Sequence, residues 1–88
     1  MRQIFKYTIT NLKQTIEMPE RAQILKVGVQ RNKCRLWVLC DDSLKDVRRE
    51  FVIFGTGEDI DDINLKYLGT FMLDVDSYVG HLFERNAK

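Results

Sequence analysis

One proline, five glycines, two cysteines and one histidine are all that the 88 residues contain of the types that break a chain, cross-link it or bind metal through nitrogen and sulfur. With 44% hydrophobic residues beside so little Pro and Gly, the chain falls outside the disordered, collagen-like and mucin-like ranges and is expected to fold. Long apolar runs are missing too. The longest, Leu36 to Cys40, is five residues, against the ~20 that cross a bilayer as a helix. Arg2, Gln3 and Lys6 interrupt the start of the chain where a signal peptide needs an unbroken apolar segment, so a cytoplasmic setting is expected. Charge of one sign is also lacking. Fourteen basic residues against thirteen acidic give a net charge of +1, so neither bulk nucleic-acid binding nor membrane binding is expected of the chain as a whole.

The scarce sulfur and imidazole exclude further chemistries. Cys34 and Cys40 fall in one candidate strand, which sets them roughly 20 Å apart at ~3.3 Å per residue, too far for a disulfide. Free thiols in a reducing compartment follow. Two cysteines and one histidine cannot complete a structural zinc site without carboxylates or a second chain, so neither metal nor cofactor is expected.

What is present is period-two alternation of β-branched and aromatic residues over most of the chain, with no helical period sustained beyond two turns. The expected fold is mainly β, a small antiparallel sheet, sandwich or open barrel of about seven short strands with at most one short helical turn. A single domain is expected over 1–84, with a polar tail at 85–88 that frays from Glu84. In the first strand Phe5, Tyr7 and Ile9 face one way and Lys6 and Thr8 the other; Asn11 ends it. A second strand, Thr15 to Met18, stops at Pro19, which has no N–H to offer a ladder.

The strands near Gln23–Arg31 and Cys34–Asp41 are separated by Asn32 and Lys33, a two-residue hairpin turn. That turn pairs Val29 with Leu36, Val27 with Val38 and Leu25 with Cys40, placing six apolar side chains on one face and setting the Trp37 indole over Gly28. A turn one residue longer pairs Val29 with Trp37 instead. A fifth strand, Arg48 to Gly55, is apolar on both sides and belongs in the centre of a sheet. Ser43 and Asp46 match a capping box, although the β-formers that follow allow only a brief helical turn there. Residues 56 to 66 form the longest break, in which Ile60 and Ile63 could pin one helical turn to the core. The last strands are Tyr67 to Leu73 and Tyr78 to Phe83. Strands apolar on both sides without a long helix leave two solutions: a sandwich or barrel within one chain, or a sheet completed by a second copy. A homodimer is therefore among the expectations.

The segments Ile4–Ile9, Gln14–Val29, Leu36–Asp41, Gly55–Gly57, Tyr67–Phe71 and His81–Glu84, in order over nearly the whole chain, resemble a family of small uncharacterised bacteriophage proteins. The resemblance implies a setting in the infected bacterial cytoplasm and brings no reaction, cofactor or catalytic residue with it. It also implies a variable loop before the fifth strand. The chain departs from that family at Arg31, Lys33 and Arg35 and in the acidic stretch after Gly57.

No enzyme motif stands out. Gly55-Thr56-Gly57 lacks the lysine and following helix of a phosphate-binding loop and reads as a turn. Glu58, Asp59, Asp61 and Asp62 do not match calcium-loop spacing and read as a solvated loop. Cys34 or Cys40 with His81 would be the minimum for thiol catalysis, yet nothing in the sequence brings them together. The basic cluster Arg31, Lys33 and Arg35 beside Trp37 is the candidate binding surface, since guanidinium groups and an indole suit phosphates, nucleobases or a protein hot spot; its plainer reading is a charged hairpin tip protecting a sheet edge. The leading expectation is a non-catalytic phage accessory protein that binds and modulates a host protein, with counter-defence as one role. The alternatives are a protein that sequesters a small nucleotide through Arg31, Arg35 and Trp37, and a minor virion or assembly component.

Overall fold

The computed structural model describes residues 1–86, in which the alternating segments form seven antiparallel strands and no helix. They are β1 (Arg2–Ile9), β2 (Lys13–Pro19), β3 (Gln23–Gln30), β4 (Lys33–Asp41), β5 (Asp46–Gly55), β6 (Leu65–Leu73) and β7 (Tyr78–Arg85). A three-stranded sheet in the order β1-β4-β3 packs on a four-stranded sheet in the order β2-β5-β7-β6. The result is an open sandwich, the first of the two expected solutions, built within one chain.

Period two decides what goes inside. On β4 the residues Cys34, Leu36, Val38 and Cys40 are buried while Arg35, Trp37 and Leu39 between them are half-buried on the outside. Ile9, Ile16, Met18, Phe51, Phe71 and Leu82 meet them from both sheets. Burying each such side chain contributes roughly 1.5–3 kcal/mol. Strand β5 lies between β2 and β7, as its two apolar faces require, with Phe51 and Ile53 inward and Val52 and Phe54 outward. β2 ends at Pro19 as expected.

The β3–β4 register differs from expectation. Val29 pairs with Cys34, Gly28 with Arg35 and Val27 with Leu36, and the turn is Arg31-Asn32 with φ of 54° and 59°. Both central residues of such a turn need positive φ, and moving it one residue earlier leaves Asn32 at the second position, where its side chain bonds the β6–β7 turn. The displacement is by two pairs, so the inward face of β4 is unchanged. Leu25 leaves that face because a bulge between Ile24 and Lys26 turns it out, 45% exposed, and places Ile24 opposite Val38. Val29 lies at the open end of the sandwich and is exposed. The indole nevertheless covers Gly28, reaching it diagonally from its own partner Lys26: a Cβ on Gly28 would stand 3.1 Å from Trp37 Cζ3.

The segment before β5 is the loop that the resemblance implies, with no helical turn: the Ser43 N–H and hydroxyl bond Asp41 Oδ1 at 3.0 and 2.7 Å, and Asp46 opens β5. Two other expectations are corrected. Ile60 and Ile63 pin nothing to the core; Ile63 is 91% exposed and the segment is irregular. Glu84 does not begin a fraying tail, because β7 runs on to Arg85 and Glu84 is held by Arg49; the rest of the expected tail, 87 and 88, lies outside the described residues.

Candidate functional site

Strand order decides which side chains share the outer face of the three-stranded sheet. β4 contributes Lys33, Arg35 and Trp37 at alternate positions. β1 sets Lys6 opposite Trp37 and Thr8 opposite Arg35, and β3 sets Lys26 on the other side of Trp37. Arg2 continues the face at the far end of β1. Of the four residues expected from the sequence, Lys33, Arg35 and Trp37 therefore lie on one face, and exposed Arg31 sits in the hairpin turn at its end. Lys6, Lys26 and Arg2 were not singled out in the sequence. The alternation of β1 showed which way Lys6 points, but only the order β1-β4-β3 shows that it borders Trp37.

The guanidinium of Arg35 is laid across the sheet. Its Nη1 donates to Thr8 Oγ1 at 2.5 Å and its Nε to the Gln30 carbonyl at 3.3 Å. Lys6 Nζ donates to Gln30 Oε1 at 2.6 Å, so Gln30 of β3 accepts from both β1 and β4. The one carboxylate on the face, Asp41, is engaged at the end of the strand: its Oδ1 accepts from Ser43 and from the N-terminal ammonium of Met1 at 3.1 Å. Those bonds hold its carboxyl at about 2, below the ordinary 3.8. The face thus combines five cations from three strands with a half-buried indole at their centre. Of these side chains Lys26, Arg2 and Lys33 each border one of five hollows of the described surface, whereas Lys6, Arg35 and Trp37 line none of the five.

The outer face of the four-stranded sheet has a different chemistry. Phe83 meets Phe54 edge-on at 5.7 Å and Tyr67 at 5.5 Å. Beside them runs a hydrogen-bonded chain in which Tyr67 Oη and Thr70 Oγ1 are 2.6 Å apart, Thr70 Oγ1 and His81 Nδ1 2.9 Å, and His81 Nε2 and Thr56 Oγ1 2.8 Å. Gly55-Thr56-Gly57 is a plain turn, closed by Glu58 N–H to the Gly55 carbonyl at 3.2 Å, and it serves to bring Thr56 to the histidine.

The thiol–imidazole pair is not assembled. Cys34 and Cys40 point into the core from the three-stranded sheet, while His81 points outward from the other. Burial pushes the Cys34 thiol up to about 11 from its ordinary 9.0. Cys40 is raised by burial and then by the carboxylates of Asp42, Asp41 and Asp46. Both thiols stay protonated at neutral pH and behave as small apolar side chains. No group of three metal-ligating side chains occurs among the described residues.

A groove of about 510 Å³ runs between β3 and β6, with Lys26 and Lys66 at its rim and Arg49 and Glu84 among its lining. Bulges in both strands, at Leu25 and Leu68, open it. Its ionic floor is already occupied: Arg49 Nε and Nη2 donate to the two Glu84 oxygens at 2.6 and 2.8 Å and Nη1 to the Ala22 carbonyl at 2.7 Å. That fork-to-fork pair ties β5 to β7 and to the β2–β3 turn, which is a structural task.

A family model described as a domain of unknown function (DUF7352) matches residues 1–88 and so covers every segment on which the resemblance was read. Its description names no phage. No curated protein and no solved structure matches the chain.

Proposed function

This chain belongs to that family, whose description carries no activity, and we propose that it is a non-catalytic binding domain which receives an acidic surface of a partner protein on the outer face of β1-β4-β3. One observation supports this reading above others: Trp37 lies between Lys6 and Lys26 on a face that also carries Arg2, Lys33 and Arg35. Tryptophan and arginine concentrate binding energy at protein interfaces, and a surrounding ring of cations steers an acidic partner into register. The pre-set guanidinium of Arg35 adds to this, because less side-chain freedom is lost when it engages a carboxylate.

Arg35 and Trp37 border none of the five hollows, which favours a macromolecular partner over a sequestered nucleotide, since small-ligand sites enclose most of their ligand in a cavity. A host protein in the phage-infected bacterial cytoplasm, including one that acts in defence, is the partner this reading takes from the sequence resemblance. The test is affinity capture from bacterial lysate with the wild-type chain and with Lys6→Glu/Lys26→Glu. The expected result is a stoichiometric partner captured by the first and lost by the second, with the wild-type complex weakening as salt rises. No stoichiometric partner, or equal capture by both chains, would sink the proposal.

A further inference from the structure

We propose that two copies of this chain pair through the outer face of β2-β5-β7-β6, leaving the two basic faces on opposite outsides of the dimer. The centre of that face is apolar: Phe54 and Phe83 are half-buried in neighbouring rows of β5 and β7 beside the buried Val52, with Tyr67 and Met72 next to them on β6. Tyr67 is 56% and Met72 48% exposed, so large apolar side chains face water where a sheet with one solvated face would place polar ones.

Three further observations identify the occupant as a second copy. The first is charge. Around the apolar centre this face and its border carry Lys13, Arg48 and Arg85 against Glu17, Glu50 and Asp62, and Arg85 already reaches Glu50 at 3.4 Å and Asp62 at 3.3 Å. A face with balanced charge can meet its own copy without like-charge repulsion, whereas the five cations of the opposite face cannot.

The second is polar satisfaction. His81 uses both ring nitrogens, and Tyr67, Thr70 and Thr56 use their hydroxyls, in the one chain of bonds on this face. Groups bonded within the protomer can be taken out of water without being left unpaired, which removes the main cost of burying them.

The third is area. Four strands of 7 to 10 residues span about 500 Å² of sheet surface at ~4.8 Å between strands and ~3.3 Å per residue, or roughly 1,000 Å² for two copies, the lower bound of a specific interface.

The experiment is equilibrium sedimentation of the wild-type chain, of Tyr67→Glu and Met72→Glu, and of Lys6→Glu as a control on the other face. The wild type is expected to sediment at twice the 10.4 kDa of the chain, and both glutamate variants at the monomer mass, their dissociation constant raised at least ~10-fold, which is about 1.4 kcal/mol. Both substituted residues are exposed, and an unchanged β-sheet circular dichroism spectrum shows that the variants fold. A wild type that stays monomeric at about 100 μM, a free-energy scale of only ~5.5 kcal/mol, would overturn the proposal. So would variants that still dimerise, or loss of the dimer on Lys6→Glu. Partner capture by the basic face does not depend on the outcome, because monomeric variants keep Lys6, Lys26 and Trp37.

Discussion

The two outer faces of the sandwich are built by the same period-two rule and differ in almost everything else. On β1-β4-β3 the outward positions carry cations of one sign around a single indole, and the hydrogen bonds run to Gln30 and Thr8. On β2-β5-β7-β6 they carry an aromatic cluster, a bonded histidine chain and charges of both signs. A net charge of +1 conceals this contrast. Whole-chain charge sums two surfaces that face opposite directions, and a partner meets only one of them at a time.

The largest expected effect separates the glycine beneath the aromatic face from the glycine on the basic one. Gly80 is buried, and a Cβ there would stand 2.5 Å from Phe71 Cζ inside the core. Gly80→Ala is therefore expected to cost about 2–3 kcal/mol of overpacking, read as a lower midpoint in urea at unchanged slope. Gly28→Ala meets the outer indole at 3.1 Å and Lys26 Cε at 3.4 Å, side chains that can tilt toward solvent. Its cost should stay within about 1 kcal/mol, with a shift in tryptophan emission. Equal losses at the two sites would erase the distinction between a locked interior and a yielding surface.

Val75 gives an effect of opposite sign. It is 99% exposed at the centre of three consecutive residues, Asp74 to Asp76, with φ of 55°, 53° and 69°. A β-branched side chain is strained there and asparagine is not. Val75→Asn is expected to raise stability by roughly 0.5–1 kcal/mol, checked by the same denaturation curve; a loss would show that the valine contributes something besides its strain.

The smallest effect concerns the one carboxylate of the basic face. Asp41 titrates at about 2 when folded and at its ordinary 3.8 when unfolded. A depressed carboxyl pKa means that the folded state is favoured above 3.8 and that this contribution fades as the pH falls through about 2. A carboxyl carbon titration by NMR should find the low value in the wild type and a rise toward 3.8 in Ser43→Ala, from which both the hydroxyl bond and its lowering effect are lost. A midpoint near 3.8 in the wild type would mean that Asp41 is free, and the face less uniformly cationic than described.

How far these faces were legible in the sequence depends on the range of the interactions. Alternation along β4 assigned Arg35 and Trp37 to the surface and Leu36 and Val38 to the core, because facing is a local consequence of the pleat. The two apolar sides of Phe51–Phe54 likewise placed β5 in the middle of its sheet. What could not be read was lateral order. Lys6 became a neighbour of Trp37, and His81 of Thr56, through contacts that span tens of residues, while Lys26 came beside Trp37 within one hairpin through the shift of its register. The bulge at Leu25 was invisible as well, since an apolar run reads alike with or without one extra residue. Gln14 shows the same limit at short range. Its side chain accepts from the N–H groups of Thr10 and Asn11 and donates to the Thr8 carbonyl, fixing the passage from one sheet to the other, yet by period and composition it is only a polar strand residue.

Asn32 joins what the topology keeps apart. Its amide donates to Asp74 Oδ1 at 2.9 Å and its carbonyl oxygen accepts from Asp74 N–H at 2.7 Å, so the tip of the β3–β4 hairpin is riveted to the tip of the β6–β7 hairpin in the other layer. Neither tip can open to solvent without breaking both bonds of the other. The two hairpins should therefore exchange their amide protons as one unit.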